Sequence, residues 1–228
     1  AAWAATFQQL SADGFRVLGV ANRTIAGSAP STLTIADEHD LTFAASNHIE
    51  RDDGATAQYL SVPGLPIHLT DNIEGVLWGK LILNLNNALN ALSDIPLRQQ
   101  LAQRAWRRLL ADQVAEGLAA IRAEGIRPVS PTPLPSGWMP PLLRLPDALF
   151  EMLLGRTMKI DPEARSSMWE DLQRGRRTEI DYLQGVITEI AARRGLAAPL
   201  SRRIVELVRK AEAEGKGSPG LTPEQIRG

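Results

Sequence analysis

WGKLILNLNNALNAL (residues 78–92) carries four asparagines and one lysine inside a run that is otherwise mostly apolar. Lys80, Asn84 and Asn87 follow one another at spacings of four and three. At about 100° per residue they fall on one narrow line of a helix. Leu81, Ile82, Leu85, Ala88, Leu89 and Leu92 take much of the opposite side, and Asn86 and Asn90 form a second polar line beside the first. Asparagine is a poor helix former because its short amide competes for nearby backbone groups. Solvated helix faces are more often built from Lys, Glu, Gln or Arg. Two readings follow. The amides can form a hydrogen-bonded seam between helices, or they can line a ligand site. In the second case Lys80 supplies a cation, and the asparagines supply donors and acceptors for a small oxygen-rich anion. Spacing leaves both open.

Working outward, the pattern stays helical. One helix is expected over residues 73–92 and a second over 97–124, stopped by Gly125. The prolines of residues 127–141 favour an extended connector. A short helix is expected over 142–154, a loop over 155–163, and further helices over 164–174, 179–194 and 201–213. Thr178 suits the cap of the helix at 179, with Asp181 at its third position as in a capping box. Arg174, Arg176 and Arg177 surround Gly175 and read as an exposed basic junction.

The first seventy or so residues differ. A short helix is expected at 3–10, β-rich stretches at 15–20, 31–35 and 41–44, a helical turn at 55–60, and a Gly/Pro-punctuated connector at 61–72. The fold class is therefore mainly α. A partial or divergent α/β segment (1–70) precedes a helical domain (71–213) and a flexible tail (214–228).

Composition narrows the function classes. Lys and Arg number 25 against 26 Asp and Glu, so the net charge of −1 gives no reason to expect a nucleic-acid partner. The absence of cysteine excludes disulfides and thiolate chemistry, and three scattered histidines argue against a histidine-built metal site. No run approaches the roughly 18 uncharged apolar residues of a membrane span. The first residues lack a basic start followed by a long apolar stretch, so no signal peptide is expected. A cytoplasmic location is the expectation.

A second polar group gathers Ser166, Ser167, Glu170 and Asp171, then Thr178, Glu179 and Asp181. Ser167 and Asp171 share a helical face, and Glu179 begins the next expected helix. Hydroxyls and carboxylates suit the orientation of substrate hydroxyls. A solvated acidic face with a helix cap accounts for the same pattern.

Two stretches then carry a resemblance: DNIEGVLWGKLILNLNN (residues 71–87) approaches the pattern DIEG.LW.KL..N..N, and SSMWEDLQRGRRTEIDYLQG (residues 166–185) matches SSM..D...GR.TEID...G. In order and spacing the chain resembles the ketopantoate reductase family over about residues 65–210. The match is to its C-terminal helical substrate and dimerisation domain, of 6-phosphogluconate-dehydrogenase-like type. That family reduces a 2-oxo acid, 2-dehydropantoate, to a 2-hydroxy acid with NADPH. The resemblance implies Lys80 as the general acid that meets negative charge developing on the ketone oxygen. It implies Asn84 and Asn87 as substrate contacts, Asn87 with a one-residue offset that keeps Asn86 as a rival. Ser167 would bind the substrate carboxylate and Glu179 its hydroxyl groups. Asp171 and Asp181 are candidates for a supporting role, and Trp78 for a core anchor. A homodimer is also consistent with the family.

One family feature is missing. No GxGxxG occurs, and about seventy residues before the helical block are too few for a full dinucleotide-binding domain with its connections. The 228 residues alone are therefore not expected to carry hydride transfer efficiently. The alternatives are a reductase for another 2-oxo acid, or a noncatalytic small-anion-binding or dimerisation domain.

Overall fold

The computed structural model of the chain describes residues 48–50, 68–130, 134–155 and 160–228. The helix expected at 3–10, the strands expected before residue 45 and the turn at 55–60 lie outside these residues. The chain divides into two compact units, Ala1–Val76 and Leu77–Gly228.

In the first unit, β1 (His48–Glu50) pairs with β2 (His68–Thr70) in parallel, with His48 opposite His68 and Glu50 opposite Thr70. β2 falls in the stretch expected to be a connector. His68–Thr70 reads HLT, and leucine and threonine suit a strand. Parallel strands need a crossover between them rather than a hairpin. Asn72 closes this unit by accepting the Gly75 N–H at 2.9 Å, which caps the start of α1 (Ile73–Ser93).

α1 matches its expected span to within a residue. The next helix does not: it is broken into α2 (Leu97–Ala102) and α3 (Arg104–Ala123), with Gln103 extended at φ −96°, ψ 121°. The break is stabilised by Arg107, which is fully buried. One guanidinium nitrogen donates to the carbonyls of Leu101 and Ala102 at 2.9 and 3.0 Å, the groups that the interrupted helix leaves without partners. The other donates to the Leu145 carbonyl and to Asp147.

The helix expected at 142–154 is also replaced by short turns, α4 (Met139–Leu143) and α5 (Asp147–Phe150), followed by a π-helical turn at Glu151–Gly155. Pro146 explains the interruption, since its ring cannot continue a helix. Ser166 caps α6 (Ser167–Gln173) by accepting the Trp169 N–H, so this helix starts later than expected. Residues 179–194 form a 3-10 turn (Ile180–Tyr182) and then α7 (Gln184–Arg193), separated by Leu183 at φ −104°, ψ −87°. Thr178 accepts the Ile180 N–H at 3.2 Å in a local turn just ahead of the 3-10 turn, whose own cap position is Glu179 with no side-chain cap, so the expected capping box is not formed. Asp181 pairs instead with Arg209 at 2.7 Å.

α8 (Pro199–Glu214) begins under the carboxylate of Glu116 from α3, which accepts from Leu200 N–H, Ser201 N–H and the Ser201 hydroxyl. Gly215, at φ 60°, ends it. The segment expected to be a flexible tail is docked instead. The Ser218 hydroxyl and Leu221 N–H donate to the carbonyls of Ala91 and Leu92, capping the last turn of α1. α9 (Pro223–Arg227) follows a capping box at Thr222 and buries Ile226 completely.

The core of the second unit joins Ile82, Leu85, Leu89 and Leu92 of α1 to Leu109, Val114 and Ile121 of α3, Ile187 and Ile190 of α7, and Ile204 and Val208 of α8. α3 packs on α4, α7, α8 and α9. A β-carbon on Gly117 would stand 3.0 Å from both Ile82 Cδ1 and Leu85 Cδ1, so α3 approaches α1 closely at that point. This packing turns the leucine side of α1 inward and leaves the lysine–asparagine line at its margin.

Candidate functional site

The two polar lines of α1 have different fates. Asn90 is fully buried, donating to the Ile95 carbonyl at 2.9 Å and to Gln100 Oε1 at 3.4 Å, while its own oxygen accepts the Ser166 N–H at 2.8 Å. Asn86 donates to the same Gln100 oxygen at 3.4 Å, and its carbonyl oxygen is buried without a partner among the described residues. The seam reading therefore holds for this line. Gln100, 1% exposed and contributed by α2, is its counterpart.

Lys80, Asn84 and Asn87 behave otherwise. Each is half-buried, and among the described residues their side chains make no hydrogen bond or ion pair. A cation and two amides thus lie along about 10 Å of helix with their polar groups uncommitted. The line presents one positive charge and two donor–acceptor amides. Trp78, two residues earlier, packs against the core as an anchor.

The second polar group reaches α1 through Ser166. Its hydroxyl donates to the Asn87 carbonyl at 3.0 Å, and its N–H reaches Asn90. Ser167 is the next residue, exposed at the first position of α6, so the chain brings it beside the Asn87 end of the line. A further latch holds α6 there. The Trp169 indole donates to Asp94 at 2.8 Å, Arg165 stacks over the same ring at 4.8 Å, and Asp94 adopts a left-handed φ of 58°.

Glu179 is exposed, and its side chain makes no hydrogen bond to Lys80, Asn84 or Asn87. Its neighbour Thr178 is tied by its N–H to Glu212 of α8 at 2.7 Å. Asp171 is half-buried on α6, and its carbonyl accepts the Arg176 N–H. Asp181 is engaged by Arg209 and lines a separate cleft of about 350 Å³ between α7 and α8. Lys80, Asn84 and Asn87 thus share one line of α1, Ser167 follows the serine that bonds to the Asn87 carbonyl, and Glu179 and Asp181 stand on other elements. Arg174 pairs with Glu170, while Arg176 and Arg177 are exposed, as expected of a basic junction.

Asn90, Gln100 and Ser166 are the residues whose roles spacing did not reveal. The signal for Ser166 was present in SSMW, a serine three residues ahead of the N–H it caps. Among the described residues no group of three or more His, Asp or Glu could hold a metal, and no helix is long and apolar enough to cross a membrane. Nor do they form a strand–glycine turn–helix for a dinucleotide: β1 and β2 span three residues each, and β2 leads into α1 through Asp71 and Asn72.

Comparison with known proteins agrees with this architecture. Residues 72–212 match the family model described as "Ketopantoate reductase PanE/ApbA C terminal". A 2-dehydropantoate 2-reductase of Pyrococcus horikoshii is 32% identical over 159 residues, covering 68% of this chain and 46% of that protein. The crystal structure of a PanE/ApbA family ketopantoate reductase from Ralstonia eutropha superposes with a TM-score of 0.58 at 30% identity, over 74% of this chain and 52% of the other. A D-mandelate dehydrogenase solved with NADH and anilino(oxo)acetate shares the fold, with a TM-score of 0.57 at 24% identity over 74% of this chain and 67% of that one. The chain spans about half the length of the curated relatives it matches.

Proposed function

Because this chain belongs to the ketopantoate reductase family, matching its C-terminal domain model, we propose that it supplies the substrate side of a reductase converting 2-dehydropantoate to pantoate. The observation that carries this reading is the line of Lys80, Asn84 and Asn87, half-buried and without a partner among the described residues, with Ser167 following the Ser166 that bonds to the Asn87 carbonyl.

A 2-oxo acid presents a carboxylate and a ketone oxygen. The Lys80 ammonium lies against the ketone oxygen and gives it a proton as negative charge develops there. Asn84 and Asn87 orient the substrate through their amides, and the Ser167 hydroxyl donates to its carboxylate. Glu179 is the candidate contact for the substrate hydroxyl groups, with Asn86, Asp171 and Asp181 in supporting roles. In the complete enzyme NADPH supplies the hydride. The described residues do not fit a dinucleotide, so none of them is assigned to the cofactor. A homodimer and a cytoplasmic location belong to the same reading.

The chain itself tests the substrate side. Calorimetric titration with pantoate is expected to show saturable binding that Lys80→Ala abolishes without changing the helical circular dichroism. Equal affinity in Lys80→Ala would overturn the assignment. In a version carrying the nucleotide-binding half, Lys80→Ala is expected to lower kcat by about 10²–10⁴.

A second reading, a reductase for another 2-oxo acid, is supported by the fold shared with D-mandelate dehydrogenase. Tighter binding of an aromatic 2-hydroxy acid than of pantoate would favour it. If no 2-hydroxy acid binds, the helical unit acts as a noncatalytic anion-binding or dimerisation module.

A further inference from the structure

Ser166 belongs to a buried relay that reaches the proposed substrate line without touching the substrate. Three helices meet in it. Gln100 of α2 accepts from Asn86 and Asn90 of α1, Asn90 accepts from the Ser166 backbone, and the Ser166 hydroxyl donates back to the Asn87 carbonyl. That hydroxyl also accepts the Trp169 N–H at the head of α6. Gln100, Asn90 and Ser166 are 1%, 0% and 4% exposed.

The chemistry of Asn90 fixes the direction of the relay. Its NH₂ faces the Ile95 carbonyl and the Gln100 oxygen, and its oxygen faces the Ser166 N–H. Turning the amide over would set oxygen against two acceptors and NH₂ against a donor, so one orientation alone satisfies the Asn90 amide. Ser166 is held by two hydrogen bonds to α1, one through its backbone and one through its side chain. The following residue is Ser167, and the residue whose carbonyl Ser166 grips is Asn87.

We propose that Ser166 is a positioning residue. Through Asn90 and the Asn87 carbonyl it sets the Ser167 hydroxyl against the Lys80–Asn84–Asn87 line, so that both ends of a 2-oxo or 2-hydroxy acid are met at once. The inference rests on the substrate-side reading above. Pre-organisation of this kind raises affinity because the loop and the amide are ordered before the ligand arrives.

The experiment uses the ¹⁵N-labelled chain, with Ser166→Ala and Ser166→Thr beside the wild type. Alanine removes the hydroxyl, whereas threonine keeps both its donor and its acceptor. In Ser166→Ala the Asn90 side-chain amide and the Ala88 backbone amide, which follows the Asn87 carbonyl, are expected to shift, and Ser166→Thr to restore them. Shifts confined to residues 165–170 would show a local helix cap only and overturn the proposal. Pantoate titration is the second readout, with about tenfold weaker binding expected in Ser166→Ala and near-wild-type binding in Ser166→Thr. Unchanged affinity in folded Ser166→Ala would also overturn it. A wild-type chain that binds no pantoate would count against the substrate reading, and the amide shifts would still decide the relay.

Discussion

The carbonyl oxygen of Val129 lies 1.7 Å from the point where a β-carbon on Gly79 would stand. The segment after α3 therefore crosses α1 at the one residue of that turn with no side chain, immediately ahead of Lys80. Glycine inside a helix costs about 1 kcal/mol relative to alanine, so at an open position Gly79→Ala would stabilise. Here the obstructing atom belongs to a backbone and cannot rotate aside. Gly79→Ala is expected to destabilise by about 1–3 kcal/mol in urea denaturation. A stabilised variant would show that the crossing segment is not held against α1.

Arg107 yields a contrast between the two halves of one ion pair. Its side chain is 0% exposed, whereas that of Asp147 is 64% exposed. The guanidinium also serves three carbonyls and stacks at 4.1 Å over Phe150. Arg107→Met leaves those carbonyls without their donor and is expected to cost about 3–5 kcal/mol. Asp147→Ala takes the counter-charge from a buried guanidinium that keeps its three carbonyls, and should cost less than Arg107→Met. Thermal unfolding of the two variants measures the difference, and equal losses would contradict the capping role given to Arg107.

The same residue shows where sequence reading stops. α1 was legible from residues 73 to 92 because its leucines recur at helical spacing, and Gly125 and Gly175 marked helix ends through their positive φ. Family membership was legible because Lys80, Asn84, Ser167 and Glu179 stand in a specific order. The break at Gln103 was not, because Arg104, Arg107 and Arg108 look like any solvated helix face until Arg107 turns inward. Within the candidate site, periodicity separated the two asparagine lines but could not say which would be satisfied by protein. That depended on Gln100 and Ser166, which are brought to α1 by tertiary packing from positions 10 and 76 residues away from Asn90.

Docking of residues 214–228 makes the end of α1 depend on the end of the chain. Ile226 is fully buried beside the core, and Ser218 and Leu221 cap the α1 carbonyls of Ala91 and Leu92. Ile226→Ala is expected to cost about 2–5 kcal/mol through lost burial and a residual cavity. Hydrogen exchange should also accelerate in Ser218 and Leu221 and in the last turn of α1. Wild-type exchange there, together with wild-type stability, would return this segment to the flexible tail that its composition suggests.

Acid should release the same segment through Asp112. Burial pushes this carboxyl up, but hydrogen bonds from Arg144 and Arg227, with the charges of both, outweigh it and hold the carboxyl below its ordinary value of 3.8. A carboxyl depressed in the folded state stabilises fully above its unfolded value and loses that contribution as pH falls through the folded one. The Arg227 contact joins α9 to α3, and the Arg144 contact joins the end of α4 to the same carboxylate. Amide exchange in α9 is therefore expected to rise as pH falls below about 4, after correction for the intrinsic exchange rate. Asp112→Asn removes the charge at every pH, so in that variant corrected protection of α9 should be lower at neutral pH and lack this acid-dependent step. An acid step of equal size in Asp112→Asn would assign the release to another carboxylate.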